Sequence, residues 1–204
     1  MLRVHRIPFS TNVERVALAI GHKGLEVEWL DVDPRDRSEV ERVSGQPLVP
    51  VLLDGDEVVF DSTVILHYLE ELQPEPRLFP EKSPRRAEVD LFLDWFNKVW
   101  KRPPNEIEAE RASAQPDEGR IARLGSELTG YLQLFERLLI GRDYLFGDFS
   151  AADCATFPFL KYALDQNEED DEPFHEILRD FLVLDGDYPR LEAWLRRVDE
   201  KPRA

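Results

Sequence analysis

The chain has 204 residues, of which 42% are hydrophobic and 33% are charged, a balance typical of a packed globular protein and not of a disordered chain. Its formal net charge of −16 repels phosphate backbones and so argues against nucleic acid as a partner. No apolar run approaches the roughly 20 residues of a membrane span, no secretory signal pattern opens the chain, and a single cysteine, Cys154, excludes an internal disulfide framework, so we expect a cytoplasmic protein without a membrane partner.

The first 76 residues alternate between strand and helix patterns. Residues 2–7 alternate loosely and predict a short strand. The helix that follows begins at about residues 10–12, where Thr11 and Glu14 have capping-box spacing, and it ends at Gly24. The later patterns are a strand over 25–33, a polar helix ending at 44–45, a hairpin split at 54–55 and a helix beginning at 61. The predicted order is therefore β-α-β-α-β-β-α.

A charged segment with four prolines separates this part of the chain from a second part with helix patterns only. We interpret residues 77–85 as a linker between a domain over 1–76 and an all-helical bundle over 86–204. The nearly uniformly acidic stretch 167–172 predicts a solvated loop. The predicted helices of the bundle cover about 85–101, 117–140, 151–165, 173–183 and 188–200.

A proline enters the third predicted strand at Val49-Pro50. Proline removes a ladder donor, so an ordinary trans proline at a sheet edge is one interpretation. In a βαβαββα order, however, this position is the cis-proline of thioredoxin-like folds, whose preceding residue offers backbone hydrogen bonds to a peptide-like ligand. The pattern favours an α/β thioredoxin-like N-terminal domain.

Two helix starts carry side chains that can cap a helix or bind a ligand. Asp61 and Ser62 precede an apolar helix face, and N-capping is the commoner role of such residues. With free backbone N–H groups they could also hold an amino-acid head, Ser62 at its carboxylate and Asp61 at its ammonium group. Ser10 and Thr11 at the first strand-to-helix turn could likewise be caps only, or Ser10 could hydrogen-bond a thiolate at the positive end of the helix.

Five segments, spread over nearly the whole chain, resemble the cytosolic glutathione transferases, in particular serine-type bacterial members related to the zeta and tau classes. The resemblance implies that Ser10 is the catalytic serine, with Thr11 and Asn12 as alternatives nearest the sulfur. It implies glutathione as co-substrate, held by the Val49-Pro50 loop and by the glutamyl-binding pair Asp61-Ser62. It also implies a homodimer. The segments are SxxxxRVALAIGHKGL (10–25), SGQPLVPVL (44–52), DSTVILHYLEE (61–71), YLFGDFSAADCATFPFL (144–160) and YPRLEAWLRRVDEKPRA (188–204).

The chain departs from the family pattern near the cis-proline loop. Residues 44–45 are Ser-Gly where the family usually has Asn-Pro, and Leu48 replaces the lysine or glutamine that often contacts the glycyl carboxylate. Gln46 could substitute for that contact. We expect Arg15 and Lys23 to face solvent.

A pocket for an electrophile is expected between the two halves, on the helix with Trp95, Phe96, Asn97, Trp100 and Lys101. From this set we take Phe96 and Trp100, with Phe9 from the first turn, as pocket residues, although tryptophans at such spacing are more often core. His22 and His67 are expected to face solvent, and no histidine spacing indicates a metal site.

The same resemblance implies that Ser150 and Asp153 form a helix capping box and that Cys154 is a buried structural residue. The leading hypothesis is an enzyme that binds glutathione, stabilises its thiolate and adds it to a small apolar electrophile. The alternatives are a glutathione-dependent isomerase and a non-catalytic binding or interaction module with the same fold.

Overall fold

The structure of this chain is a computed structural model that describes residues 1–165, 167 and 170–204. The predicted βαβαββα order is confirmed, and helices alone follow it in the described part of the chain. The strands are β1 Leu2–Arg6, β2 Val27–Asp31, β3 Val51–Asp54 and β4 Glu57–Phe60. The helices are α1 Thr11–Lys23, α2 Ser38–Ser44, α3 Ser62–Leu72, α4 Ser83–Trp95, α5 Arg102–Arg111, α6 Glu118–Gly130, α7 Leu132–Leu138, α8 Ala151–Leu160, α9 Pro173–Phe181 and α10 Pro189–Asp199.

The four strands form one mixed sheet in the order β2-β1-β3-β4. β1 runs parallel to β2, an arrangement that needs the crossover connection supplied by α1, and antiparallel to β3. The β3–β4 hairpin closes over Gly55 and Asp56, with Asp54 opposite Glu57. The N-terminal part is thus thioredoxin-like, and the remainder is helical.

The helical part differs from the expectation at α5. The predicted helices leave the segment between 101 and 117, which contains Pro103 and Pro104, without a helix. In the structure both prolines lie in the first turn of α5, where a missing backbone N–H has no intrahelical acceptor to lose. The predicted helix over 117–140 is two helices, α6 and α7, and the one over 85–101 continues from α4 into a π-helical turn, Phe96–Trp100.

One large hydrophobic core joins the sheet, α1 and the helical part, and α1 packs directly on α8. Cys154 on α8 is fully buried, as expected, and burial raises the pKa of its thiol. The predicted capping box is confirmed: Asp153 Oδ2 accepts hydrogen bonds from the backbone N–H and the hydroxyl of Ser150, each at 2.9 Å. Among the described residues no helix is both long and apolar enough to cross a membrane.

Two charged residues of α1 expected at the surface are buried instead. Lys23 is 2% exposed, and its Nζ lies 2.8 Å from Glu70 Oε2 while it donates to the carbonyls of Gln73 and Pro76. This ion pair fixes the end of α1 to the end of α3, which is why Lys23 is withdrawn from solvent. Arg15 is also buried, at the site described below.

The two helix histidines are likewise half-buried and not solvent-facing. The His22 ring packs on Phe149, and the His67 ring stacks on Phe79, because the segment after α3 and the loop before α8 fold back over these helices. The Thr11–Glu14 capping box does not form within the described chain, because the N-cap residue of α1 is Ser10.

Candidate functional site

A cleft of about 540 Å³ lies between the loops of the sheet and the helical part. One wall is the turn between β1 and α1, with Ser10, and the segment before β3, with Val49. The other wall comes from the end of the π-helical turn, from α5, from α8 and from the start of α9. The topology therefore brings the first turn and the proline loop to one place, next to helices that begin some 50 residues later or more.

Ser10 is the N-cap residue of α1 and lines this cleft, half-buried. Its carbonyl accepts from the Glu14 backbone N–H, but within the described chain its side chain makes no capping hydrogen bond. The hydroxyl is consequently left beside the positive end of a 13-residue helix, where it can donate to an anion. Glu14 pairs instead with Lys161 and Arg203.

The two alternatives to Ser10 have different surroundings. Thr11 is 7% exposed and belongs mostly to the packed interior. Asn12 is half-buried, and its Oδ1 accepts a hydrogen bond from Lys101 Nζ at 3.3 Å. All three residues line the cleft, and of the two hydroxyl-bearing residues Ser10 is the more exposed.

The Val49-Pro50 peptide bond is cis, and Val49 lies in the cleft wall while Pro50 is buried. Gln46 does not replace the missing contact before Val49, because its amide is used within the loop: it accepts from Leu48 N at 2.7 Å and donates to the Leu48 carbonyl. Arg37 lines the cleft next to this loop. Arg37 could not be predicted as a cleft residue from the sequence, because the polar helix pattern around it contains several cations and does not distinguish one from another.

Asp61 and Ser62 begin α3 as expected, but neither is part of the cleft lining. Asp61 Oδ1 accepts from the backbone N–H groups of Thr63 and Val64 at 2.8 and 3.2 Å. Asp61 has a φ of 67°, a conformation that costs a non-glycine residue on the order of 1–3 kcal/mol and that these two bonds help to hold. Ser62 is buried and its Oγ accepts from Arg15.

Arg15 is a buried cation behind both helix starts. It is 1% exposed, and its Nη1 donates to Ser62 Oγ at 3.2 Å and to Asn97 Oδ1 at 2.8 Å. Its Nε and Nη2 have no hydrogen-bond partner in the described part of the chain. Burial lowers the pKa of the guanidinium to about 9, against the opposing effect of the Asp61 charge. The signal for this burial was present in the sequence, because Arg15 lies between the apolar positions Val13 and Val16.

Two residues expected in the electrophile pocket are elsewhere. Phe96 and Trp100 are fully buried and stack on each other at 4.5 Å in the core, since the π-helical turn points them inward. Phe9 does line the cleft and is 71% exposed. The apolar lining of the helical side is instead Phe159 and Phe174, whose ring centres lie 6.2 Å apart.

Lys101, directly after the π-helical turn, adds a cation to this side of the cleft. Its Nζ lies 4.8 Å from the centre of the Phe159 ring. Burial, and then the nearby Arg15 charge, lower the pKa of the amine to about 7, although Asp61 acts in the opposite direction. Lys101 can therefore exchange a proton near neutral pH.

Asp170, from the acidic stretch 167–172 that was expected to be a solvated loop, is instead buried at the cleft. Asp170 is 9% exposed, and its Oδ2 lies 2.8 Å from His175 Nδ1 and 3.3 Å from Arg179 Nη1. Burial raises the pKa of Asp170, but His175, the Glu172 backbone N–H and Arg179 together outweigh burial and hold the pKa below its ordinary value. Glu168 and Glu169 lie outside the described residues. Over the described ranges, no group of three or more His, Cys, Asp or Glu side chains is arranged to hold a metal ion.

Comparison with known proteins places both parts of the chain. Residues 4–77 match the model "Glutathione S-transferase, N-terminal domain", and residues 118–197 match "Glutathione S-transferase, C-terminal domain". The chain is 30% identical to glutathione S-transferase F10 of Arabidopsis thaliana over 168 residues, which are 76% of this chain and 78% of that protein. It is 28% identical to a stringent starvation protein A homolog of Pasteurella multocida over 72% of this chain and 67% of that protein. A glutathione S-transferase structure from Rhodospirillum rubrum superposes with a TM-score of 0.75 at 25% identity, covering 99% of this chain and 89% of that one.

Proposed function

The chain belongs to the glutathione S-transferase family, and we propose that it binds glutathione, stabilises its thiolate and adds it to a small apolar electrophile. The observation that carries this proposal is the Ser10 hydroxyl, which lies at the positive end of α1, in the cleft wall, without capping the helix. A hydroxyl donor and a helix N-terminus both favour a charged sulfur over a neutral one, so they lower the pKa of a thiol bound there.

The remaining contacts suit the three parts of glutathione. The Val49 backbone, before the cis peptide bond, would pair with the cysteinyl residue, and Arg37 in the cleft wall would hold the glycyl carboxylate that Leu48 cannot. Ser62 would donate to the glutamyl carboxylate, because its oxygen accepts from Arg15 and its hydroxyl proton has no acceptor in the described part of the chain. Asp61 would pair with the glutamyl ammonium group.

Arg15 resolves an electrostatic difficulty for this proposal. The formal net charge of −16 repels a tripeptide that carries two carboxylates, so the site needs a local positive potential. A guanidinium in a desolvated position acts more strongly than one in water because the effective dielectric constant there is low. Arg15 supplies that potential directly behind Ser62.

Replacement of Ser10 by alanine tests the proposal. Loss of one hydrogen bond to a charged group, about 1.5–3 kcal/mol, should reduce kcat/KM for conjugation of glutathione to benzyl chloride by roughly 10- to 100-fold. The dissociation constant of glutathione, measured by calorimetry, should change by no more than about twofold, because the backbone and carboxylate contacts remain. Thr11→Val is the matched control and should retain most of the activity. An unchanged rate in Ser10→Ala would contradict the role of Ser10.

A non-catalytic binding module is the second candidate, and one comparison favours it: a stringent starvation protein A homolog is similar over 72% of the chain and is not named as a transferase. Failure of the wild-type protein to bind immobilised glutathione would support this candidate. Binding without conjugation would direct attention to the isomerase assay.

We also propose that the protein is a homodimer. Three large apolar side chains on β4, α3 and α4 are exposed, namely Phe60 at 44%, Val64 at 52% and Leu91 at 71%. Burial of such side chains between two copies would remove them from water. Light scattering on the purified protein should give twice the chain mass of 23.8 kDa, and Leu91→Glu should shift the mass toward that of the monomer.

A further inference from the structure

Resting on the proposed function, we infer that Lys101 receives the negative charge that forms on the second substrate, which makes conjugated carbonyl compounds the acceptor class of this site. Lys101 follows the π-helical turn Phe96–Trp100, and its backbone N–H donates to the Phe96 carbonyl. The side chain thereby crosses the cleft from the helical part to the start of α1, where Nζ reaches Asn12.

The Lys101 ammonium group lies close to the proposed positions of both reactants. Asn12 is two residues from Ser10 on the same helix start, so Nζ lies near the place where the sulfur would be held. Nζ also lies 4.8 Å from the centre of the Phe159 ring, which with Phe174 forms the apolar lining. A group on Lys101 can therefore contact a polar atom of a molecule whose apolar part rests on Phe159.

Lys101 has no carboxylate partner within 4 Å in the described part of the chain, unlike Lys23, Lys98 and Lys161, which form ion pairs with Glu70, Asp94 and Glu14. Among the residues that the structure describes, its one polar side-chain contact is the neutral amide of Asn12. An unpaired, half-buried ammonium group is a strong donor to an oxygen that gains charge, because little competing solvent reaches it. Its lowered pKa allows it to transfer the proton as well.

The charged surroundings favour a neutral acceptor with a carbonyl oxygen. The groups that face Lys101 are Arg15 from α1 and Asp61 before α3. The titratable groups on the far side of the cleft are Glu108, Asp170, Asp171, Glu172 and His175. Burial and the Glu172 charge raise the pKa of Glu108, so that side of the cleft disfavours an anion. An apolar molecule with one carbonyl oxygen fits both the aromatic lining and the single donor.

In the proposed step the glutathione sulfur forms a bond to the β-carbon of the conjugated carbonyl compound. The π electrons of the carbon–carbon double bond move toward the carbonyl oxygen, which becomes an enolate and hydrogen-bonds the Lys101 ammonium group. Lys101 gives a proton to the enolate, which ends on the α-carbon, and regains one from solvent. That proton balances the one released when the thiol ionised. Displacement on a benzyl halide differs, since its negative charge leaves with the halide and does not remain on an oxygen in the cleft.

The test compares two acceptors in Lys101→Met, Lys101→Arg and the control Lys98→Met. Benzylideneacetone is the conjugated ketone and benzyl chloride is the displacement substrate. Lys98 is 72% exposed on the same turn and pairs with Asp94, so Lys98→Met should leave both rates unchanged. Lys101→Met should reduce kcat/KM for benzylideneacetone by on the order of 100-fold and for benzyl chloride by only a few-fold.

The arginine variant distinguishes a catalytic role from a structural one. The wild-type rate with benzylideneacetone should rise with pH as the thiol ionises and fall again as Lys101 loses its proton. Lys101→Arg should retain a large part of the activity and move the falling limb to higher pH, because arginine stays charged. Equal losses for both acceptors, or no loss for the ketone, would overturn the inference. Wild-type activity with benzyl chloride but not with the ketone would overturn this inference alone, whereas no activity with either would overturn the proposed function as well.

Discussion

Replacing Arg15 with methionine separates a role in ligand binding from a role in folding. Two hydrogen bonds from the guanidinium are lost, to Ser62 and Asn97, and bonds from a charged donor contribute about 1.5–3 kcal/mol each, or roughly 3–6 kcal/mol together. The burial of the guanidinium charge has an opposing free-energy cost. The fall of the Arg15 pKa to about 9 corresponds to a destabilisation of the charged form by roughly 5 kcal/mol. The two terms nearly cancel, so an apolar side chain of similar length should change the free energy of unfolding by less than about 2 kcal/mol.

Glutathione binding, in contrast to stability, should weaken markedly in Arg15→Met. Without Arg15, the Ser62 hydroxyl loses the donor that orients it, and the positive potential behind the glutamyl carboxylate disappears. We expect a loss of about 1.5–3 kcal/mol of binding free energy, which is a 10- to 100-fold rise in the dissociation constant. Titration calorimetry with glutathione and urea unfolding measure the two quantities on the same sample. Arg85→Met is the control, because Arg85 is an exposed arginine paired only with Glu88 within the described chain.

The result that would refute this reasoning is the reverse pattern. An unchanged dissociation constant together with a loss of more than about 3 kcal/mol of stability would make Arg15 a structural residue, because a pure packing or network role predicts damage to the fold first.

Three further changes test other parts of the structure. Asp61→Asn should keep the α3 cap, and hence stability to within about 0.5 kcal/mol, while weakening glutathione binding about tenfold in calorimetry; equal binding would remove Asp61 from the ammonium contact. Gly21→Ala would place a Cβ inside contact distance of the Pro202 carbonyl oxygen and should lower the free energy of unfolding in urea by about 1–3 kcal/mol. A matching loss in the control Gly130→Ala, where a Cβ meets open space, would contradict that reason. Lys101 loses its proton at about pH 7 in the folded state but only near its ordinary value when unfolded. The unfolded chain therefore binds more protons between these pH values, and the stability of wild type relative to Lys101→Met should rise with pH from about 7 to 10 in urea unfolding; a constant difference would refute the lowered pKa.

The order of elements could be read from the sequence because local signals agree there. Gly24 has the left-handed conformation that ends α1, the two-residue turn after Asp54 closes the hairpin, and Asp61 caps α3. These features depend on a few neighbouring residues, so periodicity and turn chemistry suffice. Local signals do not predict α5, because proline usually breaks a helix. It is compatible with a helix in the first turn, where both prolines of α5 lie.

The site could be predicted only in part, because its second wall depends on tertiary contacts. Phe96 and Trp100 have the spacing of a lining, but the π-helical turn directs them to the core, and no local pattern predicts that turn. Asp170 is buried at the cleft against His175, although an acidic stretch suggests exposure to solvent, because a tertiary contact decides its position. Arg15 is buried because it lies among the apolar positions of α1, whereas its charge alone predicts a solvent-facing side chain.

The central claim is that this cleft ionises a thiol with the help of Ser10. The most direct measurement is the ultraviolet titration of the thiolate of glutathione bound to the wild-type protein and to Ser10→Ala. The pKa of a free thiol is about 8.5, and we expect a value at least about one unit lower in the wild-type complex, with most of that difference lost in Ser10→Ala. A bound thiol that titrates like the free one in the wild-type protein, or an equal lowering in both proteins, would contradict the account.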